Sequence, residues 1–327
     1  MMQRNISLFK EVITEPNQIF ETLQHGINLP VKNDFSDLVL AEIKGLNMKS
    51  LVLKDDLNRI LGHTIYFEDQ DTLYFGFFKA KNDNKKYISV LLEELEEIAS
   101  NRNVSIIKGP INPPPMIFGF GFSEAGSDTS IAAGTPYTDP IYIKKFKTKG
   151  YDVWHRFFWY NIPIRNTGQK IVWPVQSGDF QNTDWIFEML DLQSTLFPES
   201  AQITPKRNLT VHQTLQFIKK YGYEECFYLV YDEGKMAGFG YCSPNPYDLN
   251  ELNKCQSVLL MGTAIQPRYQ GKHLLTSMFA KFADNCERLG IYHGEWVVGE
   301  DNVPSIMAAK SFGGKKIRSY VILEKTI

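Results

Sequence analysis

The 327-residue chain has four cysteines, Cys226, Cys242, Cys255 and Cys286, and none stands in a CxxC pair or at a Cys/His ligand spacing. Four are too few for a disulfide framework at this length, so reduced thiols used for packing are expected. Histidine is as sparse, with six scattered singly and no HxxxH or comparable pair, so no metal is expected. No apolar run approaches the ~20 residues that cross a bilayer, and residues 1–16 lack the apolar core of a signal peptide. A cytoplasmic location is the expectation. Charge bias is missing too: 35 basic residues against 37 acidic ones leave a formal net charge of -2. Nothing in that balance draws the chain to nucleic acid or an anionic membrane, and neither partner is expected.

What is present is an ordinary folded composition, 43% hydrophobic and 22% charged, at a length that fits two domains. In the C-terminal half, residues 226–232 (CFYLVYD) and 236–242 (MAGFGYC) flank Glu233-Gly234-Lys235 and read as a hairpin. The apolar run 257–265 (SVLLMGTAI) comes next as a strand, then the loop QPRYQGKH. Leu275, Met278, Phe279, Phe282, Cys286 and Leu289 next recur at helical period, and Gly290 stands as terminator. That predicts a helix of about four turns. Residues 291–298 read as a strand, 302–312 as a helix and 316–324 as a last strand. Strand, short glycine-containing loop and helix is an order that cradles phosphate, because unpaired N–H groups and the positive dipole end meet at the helix start.

The N-terminal half repeats this order. Its hairpin is 50–53 with 60–67, where Gly62 takes the place of Gly238, and 72–78 is the next strand. A helix over 86–100 presents Ile88, Leu91, Leu92, Leu95 and Ile98 on one face and Glu93, Glu94, Glu96 and Glu97 on the other. Residues 104–108, a basic helix 141–149 ending at Gly150, and 154–162 complete the copy. Its loop, 79–86 (KAKNDNKK), has no glycine and no phosphate-loop pattern. Residues 109–115 (GPINPPP) read as a rigid turn after a strand. A boundary near residue 166 divides the chain into 1–165 and 166–327, with 170–175 (KIVWPV) opening the second copy as a strand and helices over 183–196 and 210–220.

Residues 166–327 resemble the GNAT acyltransferase superfamily, in which acyl-CoA pyrophosphate binds a loop of pattern Q/R-x-x-G-x-G/A between the fourth strand and the next helix. Gln270, Gly271, Lys272, His273, Leu274 and Leu275 align with that loop, and Glu300-Asp301-Asn302-Val303-Pro304 is similar to the start of the next helix but one. The first half resembles the degenerate GNAT-like domain of bacterial tandem proteins of the YghO-like type. Phe75-Gly76-Phe77-Phe78, Gly109-Pro110-Ile111-Asn112, Gly134-Thr135-Pro136-Tyr137 and Lys149-Gly150-Tyr151 carry that likeness. The resemblance implies an α/β (α+β) fold of two tandem GNAT-like domains, each a mixed, mostly antiparallel twisted sheet flanked by helices. It implies an N-acetyltransferase moving an acetyl group from acetyl-CoA, or another acyl-CoA, to an amine of a small molecule or peptide. Backbone groups of Thr263, Ala264 and Ile265 would meet the thioester and pantetheine, and Asn302 and Ser305 would contact CoA. The chain departs from the pattern at His273 and Leu275, where the family has Gly and Gly or Ala. Ala309 stands where many members place a thiolate-protonating Tyr.

Acyl transfer to an amine also needs a base and an acid. Glu295, among aromatics on the predicted fifth strand, is either that base or a solvent-facing carboxylate, and His293 shares the role or sits at the surface. Tyr292 and Tyr320 are replacement acids or, among 16 tyrosines, packing residues. No nucleophilic Cys or Ser with a base partner is evident, which points to direct attack in a ternary complex. An acyl-CoA-binding or interaction protein with a decayed site is the alternative, and an aminoacyl-tRNA-dependent transferase a further one. Two paired copies would allow a monomer or a dimer.

Overall fold

Glycine and proline punctuate runs of β-branched and aromatic residues along the chain, and those runs become strands. The computed structural model describes residues 7–26, 36–124, 135, 137–165, 168, 170–182, 184–197, 215, 218–220, 223–245, 247–248, 250 and 254–327. It divides into two compact units, Met1–Phe157 with Arg318–Ile327, and Phe158–Ile317. The last strand thus packs with the first unit.

The first unit contains β1 (Phe9–Ile13), α1 (Pro16–Gly26), α2 (Ser36–Gly45), β2 (Lys49–Lys54), β3 (Ile60–Asp69), β4 (Thr72–Ala80), α3 (Lys85–Asn101), β5 (Ile106–Gly109), α4 (Pro115–Phe118), β6 (Phe122–Ser123) and α5 (Ile141–Thr148). β7 (Asp152–Pro163) starts here and continues into the second unit. β1 to β4 are antiparallel neighbours, whereas β4 and β5 are parallel, from Thr72↔Ile106 to Tyr74↔Lys108. α3 is held at its start by Asn84, whose side chain accepts from Lys86 N, and it buries Ile88, Leu91, Leu92, Leu95 and Ala99. The acidic face of the same helix stays toward solvent, where Glu93 and Glu96 pair with Lys149 and Lys325.

The second unit contains β8 (Gln176–Ser177), α6 (Asp184–Leu196), β9 (Phe227–Asp232), β10 (Lys235–Pro244), β11 (Ser257–Ile265), α7 (Leu274–Leu289), β12 (His293–Gly299), α8 (Val303–Ser311) and the start of β13 (Lys315–Thr326). Its strands are ordered β12-β11-β10-β9-β8, antiparallel except for the parallel pair β11 and β12. α7 buries Met278, Phe279 and Phe282 and ends at Gly290, whose φ of 74° suits the left-handed cap. Truncating Phe282 to Ala would cost about 3–5 kcal/mol by the usual cavity argument.

The mixed, mostly antiparallel sheets flanked by helices are as expected. Residues 170–175 do not form the expected strand. Pro174 lacks the N–H a ladder needs, and the N–H groups of Val172 and Trp173 both donate to Ser277 Oγ on α7, at 3.0 and 3.1 Å. Pairing with β9 is left to Gln176 and Ser177. The expected helix 183–196 is α6 over its described residues, Asp184–Leu196, and Thr183 lies outside them. Most of the expected helix 210–220 and residue 166 lie outside the described residues.

Burial has one consequence for stability in the first unit. His63 on β3 is fully buried, its Nδ1 lies 3.3 Å from the Phe77 carbonyl oxygen, and Nε2 has no hydrogen-bond partner among the described residues. A carbonyl only accepts, so Nδ1 carries the proton. Desolvation lowers the His63 pKa from 6.5 to about 4. The unfolded chain therefore binds a proton at a higher pH than the native one does. The native state keeps its full advantage above pH 6.5 and loses it as pH falls from 6.5 toward 4. At 1.36 kcal/mol per unit the loss amounts to about 3 kcal/mol. Urea denaturation of wild type and His63→Gln at pH 7.5, 6, 5 and 4.5 should show a shallower decline for the variant.

Candidate functional site

The geometry of the second unit turns on β11. Its antiparallel register with β10 runs from Gly238↔Ile265 to Pro244↔Val258, but it shifts between Tyr241↔Gly262 and Cys242↔Leu260. Met261 is the extra residue of a β-bulge. On its other edge β11 pairs in parallel with β12 from Ser257↔His293 only as far as Leu260↔Trp296. Beyond that point β11 continues to Ile265 and β12 to Gly299 without pairing with each other among the described residues, so the two strands part into a V. A cavity beside the parting is lined by Gly240, Tyr241, Leu260, Thr263, Leu275, Met278, Phe279 and Trp296, among others. It is an apolar slot between sheet and α7, and Thr263 brings a hydroxyl to its wall.

From the open end of β11 the chain enters a loop. A 3-10 turn over Pro267–Tyr269 leads to Gln270, and Gly271 comes next with a φ of 73°. His273, the residue before α7, is left-handed at φ 65° and ψ 17°, and its side chain makes no capping bond. Among the described residues the N–H groups of Gly271, His273, Leu274, Leu275 and Thr276 reach no backbone carbonyl. Five donors at the positive end of a 16-residue helix form a row suited to a polyanion. Tyr269 is buried under the loop and donates to Asp232 Oδ2 at 2.6 Å. That carboxylate raises the phenol's pKa. Trp173 fastens the loop from outside by donating Nε1–H to the Lys272 carbonyl at 2.7 Å, while its own N–H and that of Val172 hold Ser277.

The expected site residues divide among the open strand, the loop, the cap of α8 and the far face of the sheet. Thr263 and Ile265 are half-buried and Ala264 is buried on the open stretch of β11. Gln270, Gly271, Lys272 and His273 are exposed on the loop, Leu274 is buried, and Leu275 faces the slot. Asn302 is the N-cap of α8, its Oδ1 accepting from Ser305 N at 3.1 Å. Glu295 and His293 alternate with Trp296 along β12, which puts them on the sheet face opposite the slot. Glu295 sits one register step before the parting, opposite Leu259. Tyr320 belongs to the first unit, is fully buried, accepts from Arg318 Nη1 at 2.6 Å and donates to the Thr135 carbonyl at 3.2 Å. Ala309 is fully buried in α8 and offers no hydroxyl.

Residues 186–313 match the sequence profile of the acetyltransferase (GNAT) family. A tandem GNAT protein from the clavulanic acid biosynthesis pathway has the same fold, with a TM-score of 0.64, 11% identity, and coverage of 97% of this chain and 98% of its own. A GCN5-related N-acetyltransferase from Sphaerobacter thermophilus gives 0.63 at 10% identity, over 97% and 95% of the two chains. The chain therefore has the tandem GNAT-like fold. A GNAT-family acetyltransferase from Colwellia psychrerythraea is also similar, with a TM-score of 0.56 at 8% identity over 98% and 100% of the chains. No curated protein matches the sequence.

Within this GNAT-like second unit, a polar group escapes sequence reasoning. Asn245 Nδ2 donates to Ser257 Oγ at 2.9 Å and lies 3.4 Å from Glu295 Oε1, while Ser257 donates to Asp248 Oδ2 at 2.7 Å. The chain Glu295–Asn245–Ser257–Asp248 joins three elements far apart in sequence. The one local signal is the turn-forming SPNPYD stretch, whose Asn245 accepts from Tyr247 N in an Asx turn. Trp173 and Ser277 escape it as well. Trp173→Phe should remove one hydrogen bond and lower stability by about 0.5–1.5 kcal/mol. Amide exchange over residues 270–276 should accelerate, whereas peptides from β9 should be unchanged.

Proposed function

We propose that the second unit is an acyl-CoA-dependent N-acetyltransferase domain, taking acetyl-CoA and an amine borne by a small molecule or peptide. The observation that carries this reading is the coincidence of three features on one strand-to-helix path. A strand edge opens past Leu260, an apolar slot lies beside it, and five N–H groups without backbone partners stand at the start of α7. A pyrophosphate fits the amides, an extended amide-bearing arm fits the strand edge, and a thioester with a short acyl group fits the slot. His273 adopts the left-handed backbone that glycine favours, so the departure from the family pattern leaves the loop path intact.

The chain supplies both the carbonyl donors and the base. Gln266 N donates to Ala237 on β10, so by strand alternation the backbone N–H groups of Thr263 and Ile265 face the parting and would polarise the thioester carbonyl. Glu295 is the base, receiving the proton of an amine that approaches from the sheet face opposite the slot. Asn245 holds its carboxylate in place, and Ser257 and Asp248 hold Asn245. Attack is direct, with the amine nitrogen forming a bond to the acyl carbon as the carbon–sulfur bond breaks and CoA leaves as thiol or thiolate. The second reading is an acyl-CoA-binding protein without turnover, and Ala309 in place of a phenol favours it.

Calorimetry with acetyl-CoA and a thiol-release assay across a panel of amines test the proposal. Binding with thiol release supports transfer, binding without release across the panel supports the second reading, and absence of heat removes both. Where turnover is found, Glu295→Gln should lower kcat by roughly 10²-fold or more while acetyl-CoA affinity stays unchanged. His273→Gly, which relieves a side chain from a left-handed backbone, should leave affinity equal or higher and raise the Tm. A large loss of affinity would instead identify the His273 imidazole as a phosphate ligand.

A further inference from the structure

The first unit repeats the parting of strands seen in the second. β4 pairs with β5 in parallel for Thr72↔Ile106 to Tyr74↔Lys108 and then runs on to Ala80, where it faces Gly62 as Ile265 faces Gly238. Aligned from Thr72 and Ser257, where the two parallel pairs begin, Phe75, Gly76 and Phe77 correspond to Leu260, Met261 and Gly262. In the second unit the edge beyond this point is open. In the first it is filled.

The filling segment comes directly after β5. Ile111 N donates to the Phe75 carbonyl at 2.8 Å, and Phe77 N donates to Asn112 Oδ1 at 2.6 Å. The segment lies so close that a Cβ on Gly76 would come within 1.9 Å of the Ile111 carbonyl oxygen. It closes on itself through Asn112 Nδ2 to the Phe118 carbonyl at 2.9 Å, Asn112 N to the Gly119 carbonyl at 3.2 Å and Gly121 N to the Pro110 carbonyl at 2.8 Å. Phe118 packs edge-on against Phe77, with ring centroids 5.5 Å apart. Ile111, Asn112 and Phe118 are all buried.

At the helix end one N–H is taken up by a side chain. The loop between β4 and α3 presents Asp83, which accepts from Lys79 Nζ and from the Tyr142 hydroxyl, each at 2.7 Å. Asn84 then caps Lys86 N. Asn84 thus occupies one of the N–H groups at the start of α3.

We infer that the first unit is self-liganded: its own segment 110–119 takes the strand-edge place of a pantetheine arm. Each chain therefore takes up one acyl-CoA, and it does so without any opening of the first unit. The comparison with a pantetheine arm rests on the acyl-CoA reading of the second unit, whereas the occupied edge of β4 does not.

Hydrogen–deuterium exchange on the full chain tests this directly. Peptides spanning 72–80 and 109–121 should exchange slowly in the free protein and be unaltered by saturating acetyl-CoA, while residues 258–276 slow on its addition. Rapid exchange of both first-unit peptides, or their slowing on addition of acetyl-CoA, would overturn the inference. In calorimetry, wild type should bind one equivalent, and Lys272→Glu with His273→Glu should bind none. A residual full equivalent in that variant would place a second acyl-CoA in the first unit and refute self-occupation. If wild type binds none, the acyl-CoA reading fails, and slow exchange at 72–80 and 109–121 still upholds the filled edge.

Discussion

Two parallel strands that pair for a few residues and then part create an obligation. Every N–H and C=O left along the opened edge needs a partner, since an unpaired buried backbone group costs about as much as a lost hydrogen bond. In the second unit the bulge at Met261 turns β11 away from β12 just where the parallel register ends, after Leu260↔Trp296. In the first unit β3 and β4 also shift register where β4 leaves β5, between His63 and Ile65. The same defect in two places admits two solutions, a ligand or the chain itself.

The path of the chain after the fifth strand of each copy decides which solution is used. After β12 the chain turns at once into α8, capped by Asn302, and among the described residues nothing returns to the edge of β11. After β5 it runs through Pro110, Ile111 and Asn112 back across β4 before α5 begins at Ile141. Gly76 is the residue that permits this approach, because any side chain there would meet the Ile111 carbonyl. The glycine thus has a packing reason in the first unit, at the position that Met261 holds in the second.

Much of this architecture was legible in the sequence, for identifiable reasons. The run 257–265 is β11 residue for residue, since it is apolar, rich in branched residues and ended by a proline-containing loop. The helix ending at Gly290 and the hairpin around Gly234 were equally plain, each marked by a left-handed glycine. Residues 170–175 misled because a short apolar, β-branched run suggests a strand, whereas the decisive partner, Ser277 Oγ, lies about a hundred positions away and cannot be read locally. The same holds for Asn245, Ser257 and Glu295, which only the fold of the sheet brings together. GPINPPP does follow a strand, β5, but its proline-rich composition says nothing about which strand edge it covers.

His273 is where local and global demands meet. An L-residue in the left-handed region costs about 1–2 kcal/mol, though histidine is among the residues that enter it more readily. The surroundings hold it there from both sides. Trp173 binds the preceding carbonyl of Lys272, and Ser277 N closes the first helical bond onto the His273 carbonyl at 2.9 Å. With both neighbours fixed, the backbone at 273 has little choice of φ, and the side chain is carried outward into solvent. The loop path is therefore set by Trp173 and the first turn of α7 rather than by glycine at position 273. A sequence pattern that requires glycine there describes one way of obtaining the turn, and this chain obtains the turn by clamping it from outside.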